Sequence, residues 1–348
     1  MRHDPASSPL LNRKLRPTRN LLVFGAAAGA AMLLAAGCST GGSGTGAVSG
    51  TITIAAAPGV DDAPLYLAQQ KGLFAAAGLH VVIKNFGTDS QELAAVESGS
   101  AQIAASDYGN IFTAQEKTGN LRLLADGYDA GPGSAEILSL PKYNFTNALA
   151  LRNSPIGLPS DSISSTAAGV SASLYVAAAR EVMSDFMASG ADILTWTRMS
   201  QPQEIAELQS GSLKAALLTQ PYIYQAESSL GATPVLDAFS GGTAGLPISG
   251  YVATSAWVKG NAQAVTDFQS AIEQAQSDAS MTGTIQQALS KLTGFTSLDA
   301  DMVNVGTYPT ATSVGELQRV TELMTREAML SRSTPVGIQQ MLVSPGSG

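Results

Sequence analysis

The sequence offers few groups for covalent chemistry and many for holding a molecule. It has two histidines, His3 and His80, and one cysteine, Cys38. No His pair and no Cys/His cluster has zinc-ligand spacing. No G-x-S-x-G, P-loop or G-x-G-x-x-G occurs. What recurs is acids, hydroxyls and amides in short turns: "VDDAP" (60–64), "GTDS" (87–90), "SDYGN" (106–110), "PSDSISS" (159–165), "MSQPQ" (199–203) and "TQPY" (219–222). Carboxylates there accept hydrogen bonds from amines. Tyr66, Tyr108, Tyr128, Trp196 and Tyr222 offer flat faces to a planar ring. Such groups bind rather than transform, so no enzyme, no cofactor and no metal is expected. Cations near the turns are few (Lys84, Arg152, Arg198), which disfavours a small free anion as ligand.

Each turn needs an element on either side to position it. Strand-like runs at 51–57, 79–86, 101–106 and 121–128 alternate with helix-like runs at 63–76, 89–99 and 108–119. A second set follows: strands at 154–159, 192–199, 213–219 and 233–239, helices at 165–188, 201–211 and 220–231. Such alternation implies α/β architecture with mostly parallel sheets. Ligands in open α/β sheets sit at the carboxyl ends of strands, against helix N-termini. Pro64 suits a first helical turn, and Asp61 or Asp62 can cap it. Two acids exceed what one cap needs, so one of them is expected to face a ligand. Asp89 or Ser90 is expected to cap 89–99. The candidate ligand-binding residues are Asp61, Asp62, Thr88, Asp89, Ser106, Asp107, Tyr108, Ser162, Ser164, Gln220 and Tyr222.

The two sets share a phrase. "QELAAVESGSAQIAAS" and "QEIAELQSGSLKAALLT" each read helix, SGS, small-residue strand. Beyond them a strand at 251–258, a helix at 261–280 and helical stretches at 284–292, 298–303 and 313–327 complete the chain.

Composition sets the class. The 348 residues are 45% apolar and 13% charged, enough for a sizeable core and unlike a disordered chain. Net charge is −8, with no basic cluster beyond residue 20, so nucleic acid is not an expected partner. Five of the 19 basic residues and one of the 27 acids fall in the first 37 positions, leaving 26 acids against 14 bases. That front segment reads as an export signal: basic "NRKLRPTRN", then apolar "LLVFGAAAGAAMLLAA", too short to span a bilayer comfortably. "LAAGC" resembles the lipobox of bacterial lipoproteins, which implies lipidation of Cys38. The Gly/Ser/Thr-rich stretch after it is of flexible-linker type.

The long run "APLYLAQQKGLFAAAGLHVVIKNFGTDSQELAAVESGSAQIAASDYGN" resembles the N-terminal lobe of ABC-importer solute-binding proteins. The branch is the one that includes nitrate-, aliphatic sulfonate-, taurine- and thiamine-pyrimidine-precursor-binding proteins. "IGLPSDSISSTAAGVSASLYVAAAREVM", "EIAELQSGSLKAALLTQPYIYQA" and "SGYVATSAWVKGNAQAVTDFQSAI" resemble later blocks in the same order. The resemblance implies a type II periplasmic-binding-protein fold, two α/β lobes around a ligand cleft, with crossovers near 143–152 and 238–250. It divides the chain into a lipoprotein signal peptide (1–37), a linker (38–50), the first part of lobe 1 (51–145), lobe 2 (146–242) and a return to lobe 1 (243–348). Gln220-Pro221-Tyr222 stands where most relatives have Glu-Pro-Phe. The implied protein is a monomer, anchored by lipid on the extracytoplasmic face of the cell membrane. It would pass a heterocyclic amine, pyrimidine-like or sulfonate-like solute to an ABC permease and its ATPase. A pyrimidine-precursor-processing enzyme or a sensory lipoprotein is the alternative on this fold; the former is disfavoured because no histidine occupies the cleft turns.

Overall fold

The computed structural model describes residues 50–152, 154–159, 164–165, 171–184, 195–333 and 335–343, with backbone alone at 164–165, 171–172 and 282. The expected signal peptide, Cys38 and nearly all of the linker lie outside these residues, as does Ser162. Among the described residues no helix is long and apolar enough to cross a membrane.

The first lobe starts as read. Strand β1 (Thr51–Ala55) leads through the first acidic turn into α1 (Ala63–Gln70) and α2 (Leu73–Ala76). One helix was expected over 63–76; Gly72, in left-handed conformation at φ 71°, splits it. Then come β2 (His80–Lys84), α3 (Asp89–Glu97), β3 (Ile103–Asp107), α4 (Tyr108–Thr118) and β4 (Leu121–Asp129). The cap of α3 is Thr88, whose Oγ1 accepts from the Gln91 N–H at 3.3 Å, rather than Asp89 or Ser90.

Strand β5 (Ala135–Ser139) corrects the expected crossover. It pairs antiparallel in the second sheet, so the chain leaves lobe 1 at residues 130–134, ahead of 143–152. A short apolar run between "GPG" and Pro141 was its signal. The second sheet continues with β6 (Pro155–Pro159). The long helix expected over 165–188 starts later than expected, and 185–188 lie outside the described residues. β7 (Ser164–Ser165) and β8 (Ser171–Ala172) pair antiparallel, and α5 covers Leu174–Ser184. Serine, threonine and glycine crowd that stretch, and their side chains and backbone freedom disfavour helix. Next stand β9 (Thr195–Met199), α6 (Gln201–Ser210), β10 (Ala215–Thr219), α7 (Tyr222–Leu230) and β11 (Thr233–Asp237).

The chain then crosses back through 238–246. Strand β12 (Pro247–Thr254) lies antiparallel between β3 and β4. It begins four residues before the expected strand. Residues 255–258 belong instead to α8 (Ser255–Gly260), which Thr254 caps. Helices α9 (Ala262–Ala279), α10 (Thr282–Leu289), α11 (Ser297–Met302), α12 (Val314–Arg326) and α13 (Ile338–Met341) follow.

The sheet orders are β2-β1-β3-β12-β4 and β11-β5-β10-β6-β9. Read from opposite ends they are the same plan, with β5 and β12 each an antiparallel strand supplied by a crossing. The shared phrase falls at corresponding places, α3–β3 and α6–β10. Its glutamates, Glu92 and Glu204, are the fourth residue of their helices and are both fully buried. Leu65, Phe74, Phe268 and Ile272 bury one face of the first sheet, with the Phe74 and Phe268 rings stacked at 5.9 Å. Leu138, Leu208, Leu218 and Ile223 form the corresponding core of the second. A third apolar set, with Phe112, Leu174 and Phe239, runs between them.

Candidate functional site

The first acidic turn is built by α1. Asp62 occupies its N-cap position with Pro64 in the first turn, yet its side chain makes no capping bond. The backbone does the capping, through the Leu65 N–H to the Asp62 carbonyl at 3.0 Å. Asp62 is buried, while Asp61 beside it is half-buried. The second turn carries Thr88 and Asp89 at the start of α3. The third carries Asp107, whose Oδ1 caps α4 by accepting from the Asn110 N–H at 2.9 Å. The Asn110 side-chain amide donates to Asp107 Oδ2 at 2.6 Å and to Asp89 Oδ2 at 3.4 Å.

From lobe 2, Gln201 opens α6 and is tied to the end of β10. Its Oε1 accepts from the Thr219 N–H at 2.7 Å, and its Nε2 donates to Thr219 Oγ1 at 3.0 Å. Gln220 Nε2 donates to the Gly133 carbonyl at 3.2 Å, and the Gln220–Pro221 peptide is cis. The crossing at 130–134 supplies the floor: Tyr128 Oη and Ser134 Oγ are 2.8 Å apart, and the Gly306 N–H donates to Tyr128 Oη at 2.8 Å.

These turns converge on one cavity of about 210 Å³. It is lined by Asp61, Asp62, Thr88, Asp89 and Asp107 from lobe 1 and by Tyr175, Gln201, Thr219, Gln220 and Tyr222 from lobe 2. Tyr128 comes from the end of β4, Ser134 from the crossing, and Phe295 from the segment after α10. Seven of the eleven candidate residues therefore face one space. Two candidates do not. Ser106 is buried in β3 and is not among the lining residues. Tyr108 is fully buried, stacks on Phe112 at 5.2 Å and donates to Asp126 Oδ1 at 2.5 Å, so it is a core residue and no stacking platform. Strand β12 leaves room for it: a Cβ on Gly250 would lie 2.6 Å from the Tyr108 hydroxyl. Of the other two candidates, Ser164 lies in β7 with its side chain undescribed, and Ser162 is outside the described residues. Among the other aromatics, Tyr66 donates its hydroxyl to the Ala56 carbonyl at 3.2 Å.

Tyr175, Ser134 and Phe295 were not singled out from sequence, although Gln201 and Thr219 lie in turns that were. A helix expected from residue 165 puts Tyr175 in its middle, whereas α5 starts at Leu174 and sets Tyr175 in its first turn; nothing local marks Phe295 as facing a cleft made elsewhere.

The electrostatics are one-sided. Burial, then the charges of Asp61 and Glu92, holds the Asp62 carboxyl well above the usual range. Burial, then Asp107, does the same to Asp89. Glu92 also faces this charge; burial first, then Asp61 and Asp107, push it up to about 8. No Lys, Arg or His is among the described lining residues, and no His/Cys/Asp/Glu group among the described residues is arranged to hold a metal ion. The arrangement suits a small molecule with hydrogen-bond donors and a flat surface.

A family model described as NMT1/THI5 like matches residues 60–281. Among curated protein sequences none matches the chain. Solved structures do. The aliphatic sulphonate-binding protein SsuA from Escherichia coli is 16% identical, with a TM-score of 0.67 over 85% of this chain and 92% of that one. The alkanesulfonate-binding protein SsuA from Xanthomonas axonopodis pv. citri, bound to MOPS, is 14% identical, with 0.65 over 84% and 98%. The nitrate-binding protein NrtA from Synechocystis PCC 6803 is 15% identical, with 0.63 over 84% and 86%. At such identities the likeness concerns the fold: two α/β lobes of the periplasmic-binding-protein type. The match across 60–281 takes in both lobes, and the chain belongs to the NMT1/THI5-like family.

Proposed function

We propose that this protein is the solute-binding component of an ABC import system. It captures a small organic solute between its lobes and presents it to a membrane permease without altering it. The observation that carries this is the cavity itself. Turns at helix starts from both lobes meet there, across two chain crossings about which lobes of this kind hinge. Named neighbours of the same fold are binding proteins. Tyr128, Tyr175 and Tyr222, with acceptors on the facing turns, favour an amine-bearing heterocycle such as an amino-pyrimidine.

A thermal-shift panel tests the reading, with sulfonates, taurine, nitrate and amino-pyrimidines as probes. A solute at a hundred times its Kd should stabilise the fold by about 2.7 kcal/mol. A panel in which no class raises Tm would count against solute capture.

The basic and apolar front segment and the LAAGC motif support the further reading that the protein acts on the outer face of the cell membrane, held by lipid on Cys38, and we take it to be a monomer. Cys38→Ser is expected to move the protein from the membrane pellet to the soluble fraction or to block its maturation. A correctly cleaved variant that stayed in the pellet would refute the anchor.

A further inference from the structure

The charge of the cavity lining extends this reading to the class of solute, and the inference rests on that reading. Four described residues facing the cavity are acids, Asp61, Asp62, Asp89 and Asp107, and none is basic. Asp89 and Asp107 share the Asn110 amide as a partner. Asp62 is different. It is 6% exposed, its side chain makes no capping bond, and no hydrogen bond from a described residue reaches its carboxyl group. A buried polar group without a partner is costly to keep. It is understandable where something from outside the chain satisfies it. The Gln220 Oε1 atom is likewise buried with no partner among the described residues, and Gln220 lines the same cavity. Thus an acceptor from each lobe stands open, with Tyr128, Tyr175, Tyr222 and Phe295 around them.

We propose that the cleft takes a small planar organic cation, an amidinium or a protonated amino-heterocycle, whose N–H groups reach Asp62 and Gln220 while its ring lies against the tyrosines. Its charge is opposite to that of the nitrate and sulfonate named for the structural neighbours. An anion in this space would meet acidic groups with no counter-charge from the described lining, whereas a cation would favour the ionised forms of Asp62 and Asp89 that burial otherwise disfavours. An organic cation fits better than a metal ion, since no described acid group is arranged to hold one. The aromatic walls add the attraction of ring faces for a cation.

The test is isothermal titration of the full-length protein in detergent with four single-ring probes of similar shape: benzamidine, benzamide, benzoate and benzenesulfonate. Benzamidine is expected to bind at least about tenfold more tightly than benzamide, and the two anions not to bind. Asp62→Asn should weaken benzamidine by about tenfold or more and leave benzamide unchanged. The wild-type series stands even if that variant folds poorly. Benzoate or benzenesulfonate binding as well as benzamidine would overturn the cation and leave solute capture intact. So would benzamide binding equally. Failure of all four probes at millimolar concentration would overturn the cation site as well; the wider panel of solutes would then decide capture separately.

Discussion

Gly306→Ala is expected to lower Tm by roughly 3–10 °C, the scale of an overpacked backbone contact in a domain of this size. The first crossing is closed by reciprocal backbone bonds between Asp129 and Thr307, both at 2.9 Å. Gly306 lies against that bridge. A Cβ there would stand 2.0 Å from the Asp129 carbonyl oxygen and 2.7 Å from the Gly131 nitrogen. Both are backbone atoms, so no side-chain rotation relieves the clash. The Gly306 N–H also donates to Tyr128, which lines the cavity, so solute affinity should fall with stability. Gly242→Ala is the control: it lies near the second crossing, where a Cβ meets nothing within 4 Å. Its Tm should stay close to wild type, with a change of about 0.5 kcal/mol or less. A Gly306→Ala protein as stable as Gly242→Ala would refute the tight crossing.

Glu92→Gln is expected to make the solute-free protein more stable than wild type at pH 8. Burial first, then Asp61 and Asp107, raises Glu92 from 4.5 to about 8. Asp62 and Asp89, raised in the same direction, both feel its charge. In the unfolded chain Glu92 loses its proton near 4.5; in the folded chain it keeps it until about 8. Through that interval the folded state binds more protons, so stability is full below the unfolded value and is lost as pH rises through the folded one. Asp126, raised to about 7 chiefly by burial, acts in the same direction. Wild type should therefore be more stable in weak acid than at pH 8. Glutamine has no proton to lose and removes this position's share, at least about 1 kcal/mol or roughly 2–4 °C in Tm. A Glu92→Gln protein that melts below wild type at pH 8 would show that the ionised carboxylate is needed in place.

Much of this was legible in the sequence because the governing signals are local. Alternating strands and helices, stopped by glycines, announced α/β architecture, and the polar turns between them gave Asp61, Asp62, Thr88, Asp89, Asp107, Gln220 and Tyr222. What failed was whatever depends on a distant partner. Tyr108 sits in a turn but points at Asp126, eighteen residues away, which no local pattern reveals. Strand β5 is only five residues long, and its place in the second sheet depends on pairing with β10 and β11. Phe295 reaches the cleft because the C-terminal helices return to it. Glu92 reads as an ordinary helix-surface glutamate. Its burial follows from α3 packing on β3, and its raised proton affinity from that burial first and from acids on two other turns second.

The most direct test of a cleft closing on a solute is a distance across it. Spin labels at Glu97→Cys on α3 and Ser229→Cys on α7, both exposed positions, report on the two lobes once Cys38 is replaced by serine. Adding an ultrafiltered small-molecule extract of the producing cells should narrow the measured distances toward a shorter population, and dialysis should restore the broader one. Distances that stay the same with and without the extract, at concentrations where a solute is shown to bind, would contradict capture by closing lobes.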